Sequence, residues 1–109
     1  RHPRVCAAFP KLLTDYVRDK KVFFIEDAIY KMTAKPAGVL GINRGILEKG
    51  MPADINIFHL DKLKVHADFE KPDQYCTGFD YVLVGGEIAV KQDEYRNPQS
   101  GRIVRGSNK

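Results

Sequence analysis

The stretch Tyr81-Val82-Leu83-Val84-Gly85-Gly86-Glu87-Ile88-Ala89-Val90 decides how the second half of this chain folds. Two apolar, β-branched runs flank a glycine pair, and glycines tolerate the positive φ angles of a two-residue hairpin turn. Two antiparallel strands are predicted. Upstream, Gly41, Gly45, Gly50 and Pro52 lead into Ile55 and Ile57 alternating with Asn56, which predicts another strand. Downstream, Asp93-Glu94 reads as a turn and Arg102-Ile103-Val104-Arg105 as a short last strand. From His59 to Thr77 the chain is polar and aperiodic, a covering loop or an extended connection.

Before Gly41 the period changes. Phe9, Leu12, Leu13, Tyr16 and Val17 share one face of a helix, with Pro10 in its first turn and Asp19-Lys20-Lys21 closing it. Ile25, Ala28, Ile29 and Met32 repeat the pattern, with Glu26 and Asp27 in the favoured first turn. Phe24 at the N-cap offers no oxygen to the free N–H groups, so this helix must lean on tertiary contacts. It is expected to stop near Thr33, because Pro36 disfavours helix at Lys35. Pro36 then starts one further turn through Leu40, with Gly41 as a left-handed stop. The predicted class is α+β: two or three N-terminal helices, then a small, incomplete antiparallel sheet with open edges. Such a sheet is expected to belong to a larger fold.

At 109 residues there is room for one compact domain. No apolar run approaches the roughly 18 to 20 residues of a membrane span. Up to Gly50 there are ten basic residues against five acidic, and beyond it eight against nine. The acids Asp15, Asp19, Glu26 and Asp27 interleave with the bases, which reads as a mixed solvated surface rather than a nucleic-acid face. Cys6 and Cys76 are too few for a disulfide framework, and two free thiols suit a reducing cytoplasm. The opening Arg1-His2-Pro3-Arg4 has no initiator Met and no signal-peptide core, so the chain is expected to start inside something longer.

His2, His59 and His66 form neither HxH nor HExxH, so no metal site is expected from this chain alone. Walker, GxSxG and GxGxxG motifs are absent. Glu26-Asp27 and Asp93-Glu94 read as dipole-favoured or solvated acids. Cys6, preceding the first helix, reads as a structural thiol. Arg4 sits in a proline-stiffened segment before a helix, where its guanidinium could clamp a carboxylate bidentately.

His2-Pro3-Arg4 followed by Phe9-Pro10-Lys11 resembles the HPRxxGxFPR segment of N-acyl-D-amino-acid deacylases (D-aminoacylases) of the amidohydrolase superfamily. Glu26-Asp27-Ala28-Ile29-Tyr30-Lys31-Met32-Thr33, with Pro36-Ala37 and Leu40-Gly41, is similar to their EEAVRKMTxxPAxxLG run. Arg44-Gly45-Ile46, Gly50 and Ala53-Asp54-Ile55 resemble the RGxIxxGxxADxxxF entry into the small β domain. Tyr81 to Gly86 and Gly101-Arg102 continue the likeness.

The resemblance implies a (β/α)8 barrel with a small β-sandwich built from both chain ends. Residues 1–42 would be the last barrel helices, and 43–109 the C-terminal portion of the sandwich. It implies zinc in the full-length parent, polarising an amide carbonyl and activating water, and a proton-moving Asp on the last barrel strand. The metal ligands and that Asp would all lie upstream, so no catalytic or metal residue is expected here and the chain alone should be inactive. The one family site residue that maps onto it is Arg4, implied to hold the substrate carboxylate. Cys6-Ala7, Lys11 and Phe24 depart from the family's aromatic-Gly, Arg and Ser/Thr at their positions.

Two other classes stand beside this reading. One is a free-standing β-rich interaction module using a sheet edge, with edge-strand dimerisation of the chain as a consequence. The other is a basic nucleic-acid binder.

Overall fold

A computed structural model describes residues 2–106. The first helix starts earlier than the apolar stripe suggests. Pro3, at φ −57° and ψ −22°, sets the first turn, and α1 runs Arg4–Lys11. Its carbonyl accepts from the N–H groups of Cys6 at 3.2 Å and Ala7 at 3.1 Å. Pro10 therefore lies inside the helix and not at its start, a correction to the sequence reading. A proline there has no N–H to return to the carbonyl one turn back. Directly after it the ladder widens to i→i+5 spacing, giving a π-helix over Leu12–Asp19. The expected stripe is split by this change. Leu13 and Val17 are buried, while Phe9 is 64% exposed.

The next helix, α2 (Ile25–Met32), has the expected bounds, with Phe24 at an N-cap that makes no side-chain bond. Its core face is Ala28, with Ile25, Ile29 and Met32 packed against Leu13 and Val17. Thr33 breaks the helix at φ −126°, and α3 (Ala34–Leu40) begins at once, so Lys35 is helical despite Pro36. Gly41 at φ 68° ends α3, and the Ile42 N–H closes back on the Ala37 carbonyl at 3.1 Å. Gly45, at φ +88°, brings the outgoing loop against the helix break. A Cβ there would lie 2.7 Å from the Thr33 carbonyl oxygen, closer than atoms approach.

Four antiparallel strands form a meander in the order β1-β2-β3-β4. They are β1 (Ile55–Phe58), β2 (Phe79–Val84), β3 (Glu87–Lys91) and β4 (Glu94–Tyr95). Register runs Ile55 to Leu83 and Ile57 to Tyr81, then Val82 to Val90, then Val90 to Tyr95. Gly85 and Gly86 make the β2–β3 turn with φ of 59° and 83°. The last strand is not the one expected. Residues Arg102 to Arg105 are unpaired coil, and Glu94, expected in a turn, is in β4. Gln92 and Asp93, at φ 48° and 66°, make a second positive-φ hairpin turn without glycine. The Asp93 carboxylate offsets that strain by accepting from Gly78 N–H at 3.0 Å and Phe79 N–H at 3.1 Å.

The connection from His59 to Thr77 joins the layers. A 3₁₀ turn (Leu60–Lys62) precedes Leu63, which is fully buried with Leu13, Val17 and Ala28. Phe58 and Phe79, at 5.6 Å between ring centroids, cover it from the sheet side. Arg18 reaches across from the π-helix and donates to the Leu60 carbonyl at 3.1 Å and the Leu63 carbonyl at 2.7 Å. Gly78 passes so close that a Cβ would lie 2.5 Å from the Lys62 oxygen. No described strand residue is fully buried, and β1 and β4 are the outer strands. Among the described residues, no helix is long and apolar enough to cross a membrane.

Candidate functional site

Arg4 is the first residue of α1 and is exposed. The preceding Pro3 fixes the backbone that presents it. Its N–H donates to Nδ1 of His2 at 3.1 Å, so the imidazole satisfies one of the free N–H groups at this helix end. The His2 ring in turn meets Phe69 edge to face at 5.1 Å, which docks the first turn on the connection before β2. Among the described residues the Arg4 guanidinium has no ion-pair partner. Three other arginines are committed: Arg18 to Asp19 and the two carbonyls, Arg44 to Asp54 at 2.9 Å, and Arg96 to Glu94 at 3.5 Å. Arg4 is therefore a cation at a helix N-terminus with its planar fork open to an anion, and a carboxylate matches it bidentately.

The remaining candidates are scattered. His59 Nε2 lies 3.3 Å from the Asp80 carboxylate, and His66 Nε2 lies 2.8 Å from the Thr77 hydroxyl. Among the described residues, no three or more His, Cys, Asp or Glu side chains converge on a point that could hold a metal. The residues present do not fit a zinc centre. Glu26 and Asp27 occupy the first turn of α2 as expected. Cys6 lies within α1 rather than before it, and burial pushes the Cys76 thiol up, with Asp93 and Cys6 adding to the effect.

Sequence reading missed a cleft of about 380 Å³ lined by Asn43, Arg44, Asp54, Ser100 and Arg102. Asp54 organises it, accepting from Gly85 N–H at 2.8 Å and from Arg44 Nε. The Arg44 cation is thus neutralised from within. The Ala53-Asp54 pair beside the hairpin glycines was the signal available for it.

The amidohydrolase family model matches residues 1–90. The chain belongs to the amidohydrolase family. Within it, the chain is 37% identical over 105 residues to an N-acyl-D-glutamate deacylase of Alcaligenes xylosoxydans xylosoxydans, covering 95% of this chain and 21% of that relative. A crystal structure of D-aminoacylase, described as defining a novel subset of amidohydrolases, superposes with a TM-score of 0.89 at 31% identity, over 95% of this chain and 22% of the other. An N-acyl-D-glutamate deacylase from Bordetella bronchiseptica, complexed with zinc and a phosphonate mimic of the tetrahedral intermediate, gives 0.79 at 35% identity, over 85% and 20%. This amidohydrolase chain thus spans about a fifth of the length of the relatives it matches. The α+β architecture read from the sequence is the one these relatives share over the matched residues.

Proposed function

We propose that this chain is the C-terminal part of a zinc-dependent amidohydrolase that hydrolyses N-acyl-D-amino acids to a carboxylate and a free D-amino acid. The observation that carries the reading is the unbroken likeness to deacylases of this type, across both the helices and the sheet. Residues 1–42 then supply the last helices of a (β/α)8 barrel, and 43–109 the C-terminal portion of a small β-sandwich. The open β1 edge suits such a division, since further strands can add there. Cytoplasmic placement goes with two free cysteines.

The chain's own part in the reaction is binding. Arg4 holds the substrate carboxylate through paired N–H···O bonds, which fixes the acyl amide relative to the catalytic centre. In this reading the zinc ligands and the proton-moving acid lie in other parts of the parent. The full-length protein, loaded with zinc, is expected to release D-amino acid from N-acetyl-D-amino acids and leave the L-substrates intact. The isolated chain with excess zinc is expected to show no turnover above the zinc blank. Turnover by the isolated chain, or none by the parent on any N-acyl-D-amino acid, contradicts this function.

A further inference from the structure

The N–H groups that open α1 are closed by the two residues before it. Arg4 N–H donates to Nδ1 of His2 at 3.1 Å and Val5 N–H to the His2 carbonyl at 3.2 Å, while Cys6 and Ala7 both use the Pro3 carbonyl. A side chain that caps a helix holds the backbone only as firmly as its own ring is held. Among the described residues, the aromatic partner of the His2 ring is Phe69, edge to face at 5.1 Å and 79°. The Phe69 backbone is held in turn. The Asp68 carboxylate accepts from Glu70 N–H at 3.0 Å and Lys71 N–H at 2.6 Å, and Asp68 N–H donates to the Lys71 carbonyl at 3.2 Å. Yet Phe69 is 78% exposed and stands outside the core cluster around Leu63. Its ring therefore does little for the core, and its described aromatic contact leads straight to the residue that caps Arg4.

We propose that Phe69 is a positioning residue for substrate binding: from the connection before β2 it fixes the His2 ring, which fixes the Arg4 backbone and so aims the guanidinium at the substrate carboxylate. Its role rests on Arg4 being the carboxylate clamp. A guanidinium stands on a long side chain, and forming the paired contact costs rotamer freedom. Setting beforehand the backbone from which that side chain starts reduces the cost. The connection thereby takes part in binding without touching the substrate, and it couples carboxylate recognition to the seating of the sheet against the helices.

The test uses the full-length, zinc-loaded protein with an N-acetyl-D-amino acid as substrate. Phe69→Ala and Phe69→Leu are each expected to raise KM by about two- to tenfold, the fold-change that matches one aromatic pair, with kcat nearly unchanged. Phe69→Tyr keeps the ring and is expected to keep the wild-type KM. The leucine variant retains apolar bulk, so it reports even where the alanine variant folds poorly. With Arg4→Ala already in place, Phe69→Leu is expected to have no further effect, because its effect passes through Arg4. A wild-type KM in Phe69→Leu, beside a weakened Arg4→Ala, overturns the proposal and leaves the clamp standing. So does a loss of equal size in both backgrounds, or one shared by Phe69→Tyr. Unchanged kinetics in Arg4→Ala instead removes the clamp itself, and the role of Phe69 with it.

Discussion

Arg4 presents an open guanidinium while Arg18, Arg44 and Arg96 are already engaged. If it carries the substrate carboxylate, Arg4→Ala in the full-length enzyme lowers kcat/KM by about 2–4 kcal/mol, the loss of a desolvated charge-assisted pair. Arg4→Lys recovers only part of this, because an ammonium cannot make the paired contact. Unchanged steady-state kinetics in both variants would remove Arg4 from the site. A smaller electrostatic effect belongs to Asp15 and Lys11, paired at 2.7 Å one helical turn apart. The hydrogen bond to Lys11 lowers the Asp15 carboxyl, and the same bond raises the Lys11 ammonium. Stabilisation from the lowered acid is present above its unfolded value of about 4 and lost as pH falls through the folded one. That from the raised base is present below about 10.4 and lost as pH rises further. Asp15→Asn is expected to speed amide exchange in the π-helix by roughly twofold between pH 5 and 9, since exposed pairs of this kind contribute about 0.3–0.5 kcal/mol. The difference should shrink as pH falls through the folded Asp15 value.

Among the elements, α2 and the β2–β3 hairpin were legible because their signals are local. Acids in the first turn, a 3.6-residue apolar period and a glycine pair each act within a few residues. The start of α1 and strand β4 were not, for opposite reasons. Two prolines competed to open the first helix, and Pro3 did so while Pro10 widened the ladder. At β4 the turn residues Gln92 and Asp93 carry no glycine, and their strain is relieved by Gly78 and Phe79 fifteen and fourteen residues away. The stiff Pro3-Arg4 entry to a helix was legible from the proline beside it, whereas the Asp54 cleft needs a pairing of Gly85 with a residue thirty-one positions earlier. Leu63 shows the same limit, being the most buried large side chain inside a stretch that looks like loop. Its contacts come from both layers, so Leu63→Ala is expected to cost about 2–5 kcal/mol, read as a lowered unfolding midpoint of the full-length protein. A cost below 1 kcal/mol would mean that the layers are joined elsewhere.

For the molecule as a whole, the sheet has more surface than the described residues cover. Ile57 on the outer strand β1 is 46% exposed, and the row of backbone groups along that edge has no partner strand among the described residues. The isolated chain is expected to associate through this edge, giving a concentration-dependent mass by light scattering. Ile57→Lys, which places a charge on the edge, should shift it toward the monomer. A monomer at every concentration would favour the self-sufficient interaction module instead.

The loop between helices and sheet is exposed from Ile46 to Gly50, yet it is anchored on either side, by Gly45 against Thr33 and by Asp54 against Gly85. Leu63 and Arg18 clasp the two layers independently of that loop. Severing the peptide bond after Lys49 would therefore leave two pieces gripping each other without a covalent bridge, and this position is a natural seam for dividing the polypeptide into complementary halves.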